Sequence, residues 1–400
     1  DPRTASRHTD GASPAPGARM TLRRKAAIVG IAHLPFSKNI GTPERTNAMR
    51  VTLQALDDAG LRPDDVDGMV KSGLEATSEM EMCRGLGIEN LRFFCEMGYG
   101  GGQGSGAIAV AAAAVAAGQA DVVVCWRARN RGSGGRPWAK TGWRVSGDQQ
   151  FYSPFGCVRP VDQVAMLARR LMHETGITSR DFGEIAVACR THARNNPHAL
   201  MRAPMTIDDH QASRPISEPL RLLDCCLETD GALCAIVASA ERARDARHRP
   251  AWILSAAQAT GNQTVVMANF HKTPFLETPT KWVARDVLRG AGLEPGDIDC
   301  AQLYDAFTPL VTMTLEEFGF CKPGEAKDFV KDGRLLAPDG GLPINTSGGG
   351  LSEAYVHGYN LILEAVRQIR GTSTNQVPGC QTCLVTSGAG VPTSAFVVGA

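Results

Sequence analysis

A nine-residue phrase occurs twice in this chain and constrains its folding more than any other feature. Ala59-Gly60-Leu61-Arg62-Pro63-Asp64-Asp65-Val66-Asp67 returns as Ala291-Gly292-Leu293-Glu294-Pro295-Gly296-Asp297-Ile298-Asp299. Each copy follows a helical stretch and precedes an apolar strand. In each, glycine suits a left-handed helix cap and proline blocks the helix from continuing. A repeated supersecondary unit predicts a duplicated fold. The 400 residues agree, because they exceed one ordinary core of roughly 100–200 residues.

The halves run in parallel beyond the phrase. The first opens at strand Ala26 to Ile31, and a helix spans about Thr46 to Ala59. Gly100 to Gly106 then opens an Ala-rich helix leading into strand Asp121 to Cys125, as Gly348 to Gly350 opens a helix leading into strand Thr382 to Thr386. Continuous apolar strands beside helices imply a parallel sheet covered on both faces, and the 43 glycines suit tight turns in an α/β protein. Ala107 to Ala117, nearly all Ala, Val and Ile, is expected to be buried on all sides between two sheets. The second half is placed at 249–400, opening with strand Ala251 to Leu254, and the first at 25–248. An excursion over 127–219 interrupts the first half, and long insertions of this kind carry function. Its helix Val161 to Thr175, with Met166, Leu167, Leu171 and Met172 in helical register, reads as packing.

A formal charge of +1 removes any bulk attraction to nucleic acid or anionic membrane. The twelve cysteines lie largely in apolar runs, which suits reduced thiols in a cytoplasmic protein. Cys380 and Cys383 form a CxxC without a second ligand pair, so no metal is assigned. Residues 1–24 read as a disordered or vector-derived tail, with Met20 a candidate start and no signal-peptide pattern. No apolar run reaches the ~18 residues of a membrane span.

Several phrases in order carry a resemblance: Ala168-Arg169-Arg170-Leu171-Met172-His173-Glu174, Arg194-Asn195-Asn196-Pro197-His198, Ile216 through Cys226, and Asp230-Gly231. Together with the duplication they resemble the thiolase superfamily from about Lys25 onward, in its lipid-transfer or sterol-carrier branch. The resemblance implies a five-layer αβαβα fold with two mixed sheets and an inserted loop domain. It also exposes what is missing. Where the family has its nucleophilic cysteine, activated by a helix N-terminus, this chain has Gln103, with Cys95 and Ser105 displaced from that position. In the family's Asn-x-x-Gly-Gly…Gly-His-Pro pattern, here Asn345 through Gly358, Tyr355 stands on the histidine, and His357 lies two residues on. The His-Asp-Cys-Phe-like element reads Tyr304-Asp305-Ala306-Phe307, so Tyr304 replaces a second histidine. The last family cysteine is matched by Thr386, before Ser387-Gly388-Ala389-Gly390.

Tyrosines at two working positions resemble the aldolases of this fold that cleave steroid side chains from coenzyme A thioesters. Retro-aldol cleavage needs a base for the β-hydroxyl, stabilisation of the thioester enolate and an acid for its α-carbon, and no acyl-enzyme. A phenol, with a free pKa near 10, is a competent proton donor and a base only when its environment helps. Tyr355 is assigned the hydroxyl proton and Tyr304 the enolate carbon, the reverse division staying open. Amides of Gly348 to Gly350, Gly349 among them, and of the loop at Gly388 are expected to face the thioester oxygen. Asn345 and Ser347 would orient a water or the phenols, and His357 is a supporting candidate or a satisfied structural histidine. Arg127, Arg129, Arg136 and Arg144, among further basic residues and Trp138 and Trp143, are candidates to hold the coenzyme A phosphates. A solvated loop, a subunit contact or, more weakly, single-stranded nucleic acid binding would explain the same residues.

The expected reaction releases a ketone, a steroid by resemblance, and a short acyl-CoA such as propionyl-CoA, with coenzyme A as part of the substrate and no bound cofactor. A non-catalytic acyl-CoA or lipid carrier, and a thiolase-type acyltransferase using a displaced cysteine, stand as alternatives. Resemblance further implies a homodimer through the strand near Phe93 to Met97. It also implies a second polypeptide with an OB-fold and zinc ribbon, giving a heterotetramer or larger complex.

Overall fold

The computed structural model describes residues 22–98, 102–134, 147–261, 278–388 and 393–400. In chain order the first half contains β1 (Ala26–His33), α1 (Glu44–Ala59), β2 (Gly68–Ser72), α2 (Glu79–Leu86), β3 (Phe93–Met97), α3 (Gln103–Ala116) and β4 (Val122–Asn130). It continues with α4 (Pro160–Thr175), α5 (Ser179–Asn195), α6 (Ile207–Ala212), β5 (Pro215–Ser217), β6 (Leu220–Arg221), β7 (Asp230–Ser239) and α7 (Ala240–Arg244). After these come β8 (Ala251–Ala259), α8 (Pro279–Ala291), β9 (Cys300–Gln302), α9 (Thr308–Glu317), α10 (Ala326–Phe329), α11 (Tyr359–Arg370), β10 (Thr382–Ser387) and β11 (Thr393–Gly399).

Nine strands run in the order β3-β2-β4-β7-β1-β8-β11-β10-β9. The duplication is visible in that order, since β2-β4-β7-β1 is mirrored by β9-β10-β11-β8. The two half-sheets meet where β1 and β8 pair over two residues, Ala27 with Trp252 and Ile28 with Ala251. Even the outer strand has a counterpart: Ile344 bridges in parallel to Ala301 of β9, as β3 lies parallel to β2. The all-parallel reading of the apolar strands is corrected. β7 and β11 run antiparallel to both neighbours, as does β1. Both strands are covered on both faces, so they carry the same unbroken apolar pattern that a parallel strand shows.

Helices α3 and α11 share the central core, with Ala107, Ile108, Ala111 and Val115 of α3 packed among Leu361, Ile362, Ala365 and Val366 of α11. Burial of α3 is incomplete, because Ala113 is exposed and Ala109 and Val110 are half-buried. The helix expected from Gly348–Gly350 is interrupted. Gly349–Glu353 make one π-type turn, Ala354 is extended, and α11 begins only after Gly358, whose φ is 78°. The excursion also starts later than expected, since β4 continues through Arg127 and Arg129 to Asn130.

The repeated phrase has a physical job. Gly60 and Gly292 cap their helices with φ of 74° and 68°, and the 3-10 turns Pro63–Asp65 and Pro295–Asp297 aim Val66 and Ile298 into the core. The last aspartate of each copy then grips the start of a strand in the same half. Asp67 accepts from the amides of Asp121 and Val122 (2.9 Å each to Oδ1), and Asp299 accepts from those of Gln381 and Thr382 (2.8 and 2.9 Å). These amides precede or open β4 and β10, and a carboxylate supplies their acceptor. Asp67→Ala and Asp299→Ala are each expected to lower stability by about 1–2 kcal/mol. Effects at such separated sites should add to within about 0.5 kcal/mol in the double variant. Urea-unfolding midpoints of the three variants check both statements.

Candidate active site

Tyr304 and Tyr355 come from different elements and meet tip to tip. Tyr304 lies just past β9, its amide donating to Thr386 Oγ1 (3.0 Å), while the preceding residue is gripped by Asn345. Asn345 Oδ1 accepts from Leu303 N (2.7 Å) and its Nδ2 donates to Leu303 O (2.9 Å), copying the pairing of a neighbouring strand. Tyr355 follows the π-type turn, with its amide donating to Thr229 Oγ1 (3.3 Å). The two phenol oxygens are 2.5 Å apart and the ring centroids 6.1 Å. Burial pushes both phenols above their ordinary pKa, so both are protonated at neutral pH. The face of Tyr304 rests on Gly358, where a Cβ would come within 3.1 Å of Cδ2.

Asp305 explains how these segments are held together. Its side chain is buried, and it accepts from Gly350 N (2.8 Å, Oδ1) and Leu351 N (3.3 Å, Oδ2). Gly349 must be glycine, because its φ is 60° and a Cβ would collide with Asp305 Oδ2. Desolvation raises the Asp305 carboxyl to about 6, with the amides of Gly350 and Leu351 and the Asn345 side chain opposing it. This corrects the expectation for two of the three amides of the glycine turn. Gly350 N is spent on Asp305 and Gly348 N on Asn345 O, so neither amide is available to a thioester oxygen.

The remaining family positions are engaged by partners within the protein. Gln103, at the N-terminus of α3, is buried and accepts from the Ser72 hydroxyl. Ser105 N donates to Ser387 Oγ (2.9 Å). Thr386 supports the Tyr304 backbone, and the loop beyond Gly388 lies outside the described residues. Ser347 Oγ donates to Glu353 (2.6 Å) and Asn345 to the backbone, so neither is directed at the phenols as expected. Burial pushes up the thiols of Cys95, Cys226 and Cys383, the opposite of thiolate activation.

Of the arginines assigned to phosphates, Arg127 is fully buried and pairs with Glu75 (3.3 Å, both side chains 0% exposed). That withdraws it from coenzyme A, because its donors are used inside the protein. Its Nε and Nη2 also donate to His357 Nδ1 (3.2 and 3.1 Å). Arg129 pairs with Glu44 (3.5 Å) and is 29% exposed. Arg136 and Arg144 lie outside the described residues. His357 has a φ of 53°, and its ring centre is 5.3 Å from that of Tyr355. Three partners were invisible in the sequence: Glu75, 52 residues before Arg127, Thr229, and Asp305, whose only signal was its place next to Tyr304. No group of three or more metal-ligating side chains suited to an ion occurs among the described residues.

Comparison with known proteins decides the family. A family description reading thiolase C-terminal domain-like matches residues 261–398. A 17-hydroxy-3-oxo-4-pregnene-20-carboxyl-CoA lyase from Mycobacterium tuberculosis is 48% identical over 387 residues, covering 94% of this chain and 100% of that one. The steroid side-chain-cleaving aldolase of Thermomonospora curvata is 49% identical over 94% of this chain and 98% of its own length. The chain belongs to the thiolase superfamily, among the steroid side-chain-cleaving aldolases. The solved structure of an Ltp2-ChsH2(DUF35) aldolase superimposes on this aldolase with a TM-score of 0.90 at 48% identity, covering 95% of this chain and 98% of that one. Human mitochondrial 3-ketoacyl-CoA thiolase, at 15% identity and a TM-score of 0.68 over 95% of this chain and 99% of its own, shares the fold.

The clamp on Asp305 makes a pH prediction. A folded-state value near 6, above the ordinary carboxylate value of about 3.9, favours the protonated form in the fold. Ionising this buried carboxyl costs more in the fold than in the unfolded chain, so stability is greatest below about pH 4 and falls as pH rises through about 6, an effect on the order of 3 kcal/mol. Asp305→Asn should therefore lose less stability than the wild type between pH 4 and pH 6. Urea midpoints of both proteins across that range measure the difference.

Proposed function

We propose that the chain cleaves the side chain of a β-hydroxyacyl coenzyme A thioester by a retro-aldol reaction, with a steroid ketone and a short acyl-CoA as products. The observation that carries this reading is the hydroxyl-to-hydroxyl contact of Tyr304 and Tyr355, at the positions where the fold's acyl-transfer histidines stand. The name of the Mycobacterium tuberculosis relative defines matching chemistry: a 17-hydroxyl sits β to the thioester carbonyl borne on carbon 20. Breaking the bond between those carbons leaves a 17-ketone and propionyl-CoA.

Two neutral phenols in contact supply a relay. As the carbon–carbon bond breaks, its electrons pass to the α-carbon and the thioester, while the hydroxyl oxygen becomes the ketone. The hydroxyl proton moves to Tyr355, the Tyr355 proton to Tyr304 and the Tyr304 proton to the α-carbon, so each phenol ends protonated. The relay run in the opposite order gives the same balance. Acyl transfer through a displaced cysteine fits less well, since Gln103 occupies the nucleophile position and the nearby thiols are pushed up.

The assembly belongs to the same reading. The solved aldolase relative is named together with a second component, ChsH2(DUF35), which supports a partner polypeptide here; the family resemblance gives that partner an OB-fold and a zinc ribbon. A homodimer through β3 is supported by Phe94, 65% exposed on that edge strand. Twelve free cysteines suit a reducing cytoplasm, and no helix among the described residues is long and apolar enough to cross a membrane. Assayed with its partner on a 17-hydroxy steroid acyl-CoA, Tyr304→Phe and Tyr355→Phe should each lower kcat by about 10²–10⁴ with unchanged melting behaviour. Near-wild-type turnover in both folded variants would sink the relay, and absence of ketone from the wild-type complex would sink the reaction.

A further inference from the structure

The relay leaves the thioester oxygen without an assigned donor, although charge develops there as the enolate forms. Two of the three amides expected from the glycine turn, Gly350 N and Gly348 N, are engaged by Asp305 and Asn345, and Ser105 N is engaged by Ser387. Next to the phenols, a chain of three side chains, the fully buried Glu75 and Arg127 and then His357, is not used by the relay. We propose that Glu75 and Arg127 are positioning residues that lock His357 as its Nε2–H tautomer, making His357 a permanent hydrogen-bond donor to the thioester oxygen. This rests on the retro-aldol reading.

The tautomer follows from the donor inventory. A guanidinium has five N–H groups and no lone pair to offer, so Nδ1 of His357 must accept from both Nε and Nη2 of Arg127. The ring proton is then on Nε2. Among the described residues Nε2 makes no hydrogen bond, and His357 is only half-buried, beside Tyr355. Arg127 is aimed in turn by Glu75, whose Oε2 takes Arg127 Nη1 (3.3 Å) and Ala128 N (2.8 Å) and whose Oε1 takes Thr77 N (3.3 Å).

The surroundings keep the ring neutral. Burial, then the charges of Arg127, Arg131 and Arg129 on β4 and just beyond it, push its pKa well below the ordinary value. Tyr355 faces the ring as a neutral phenol, Glu75 stands behind Arg127, and Glu44 stands against Arg129. A neutral imidazole N–H is a known electrophilic device for enolate chemistry. A fully buried ion pair is a weak contributor to stability that well-packed apolar residues often match, so its geometry toward His357 is the more informative feature.

The test uses the full chain with its partner. Histidine-selective ¹⁵N NMR, with the signal assigned by its loss in His357→Gln, should show Nδ1 unprotonated and no titration between pH 5.5 and pH 8 in the wild type. In Glu75→Gln/Arg127→Gln, which strands no buried charge, the ring should titrate closer to the ordinary 6.5, and kcat should become pH-dependent over the same range. His357→Ala should lower kcat about 10²–10³-fold, the effect of losing one oxyanion donor. His357→Gln, which keeps an N–H, should recover most of that loss. A wild-type ring that carries its proton on Nδ1, or that titrates near 6.5, overturns the proposal whatever the reaction proves to be. So does a His357→Ala protein with wild-type kcat in a complex where Tyr304→Phe is impaired. Failure of the wild-type complex to release ketone strikes the reaction reading instead, and leaves the tautomer measurement to be judged by itself.

Discussion

A carboxylate almost without access to water holds this site together. Asp305 can stay in the core only if backbone N–H groups replace its hydration. The turn at Gly349–Glu353 supplies two of them, from Gly350 and Leu351. That turn in turn requires glycine, with φ of 108° at Gly348 and 60° at Gly349 and no room for a Cβ beside the carboxylate. Tyr304 is covalently adjacent to Asp305, and Tyr355 leaves the far end of the same turn. The 2.5 Å contact between their hydroxyls is therefore set by a clamp between two backbone segments. Side-chain preference alone would not fix it.

The insertion contributes to that clamp from outside. Arg190 of α5 donates to Ser352 Oγ (3.0 Å), and Leu200 and Met201 donate from their amides to Glu353 O and Ser352 O (3.0 Å each). Asn196 Nδ2 bridges Ser347 O (2.9 Å) and Glu353 Oε1 (3.1 Å), while Glu353 Oε2 also takes Asn360 of α11 (2.9 Å). Burial raises Glu353 to about 7, a sign that this polar knot is enclosed. The phrase around Arg194 to His198, conspicuous in the sequence, thus belongs to a brace that presses the turn against Asp305.

What the sequence disclosed was whatever is encoded locally. The repeated phrase announces the duplication because cap, proline and strand-gripping aspartate must lie within nine residues of one another. Gln103, Tyr304 and Tyr355 are legible because each stands at a fixed offset from glycines or an aspartate that the fold needs. Pairings across distance were not legible. Arg127 looked like one of a row of exposed arginines, yet β4 runs on past it and turns its side chain inward to Glu75 and His357. Gly350 looked like a free amide, although a carboxylate 45 residues earlier occupies it. Antiparallel β7 and β11 escaped for a different reason: burial on both faces erases the alternation that would have marked them.

Energetics favour a relay over a free phenolate in this setting. Ionising a phenol of pKa near 10 at pH 7 costs about 4 kcal/mol in water. Burial raises that cost at Tyr304 and Tyr355, since both are shifted further up. An enzyme that first prepared a phenolate base would carry that penalty into every turnover. Handing the β-hydroxyl proton along two hydroxyls in contact avoids it, because no phenol is ionised before or after the bond breaks. Negative charge then builds only on the thioester, where a neutral donor serves better than a second acid able to protonate oxygen outright. On that view the loss of the thiolase cysteine is coherent with the loss of its histidines: a reaction that forms no acyl-enzyme needs neither the nucleophile nor the base that activates it.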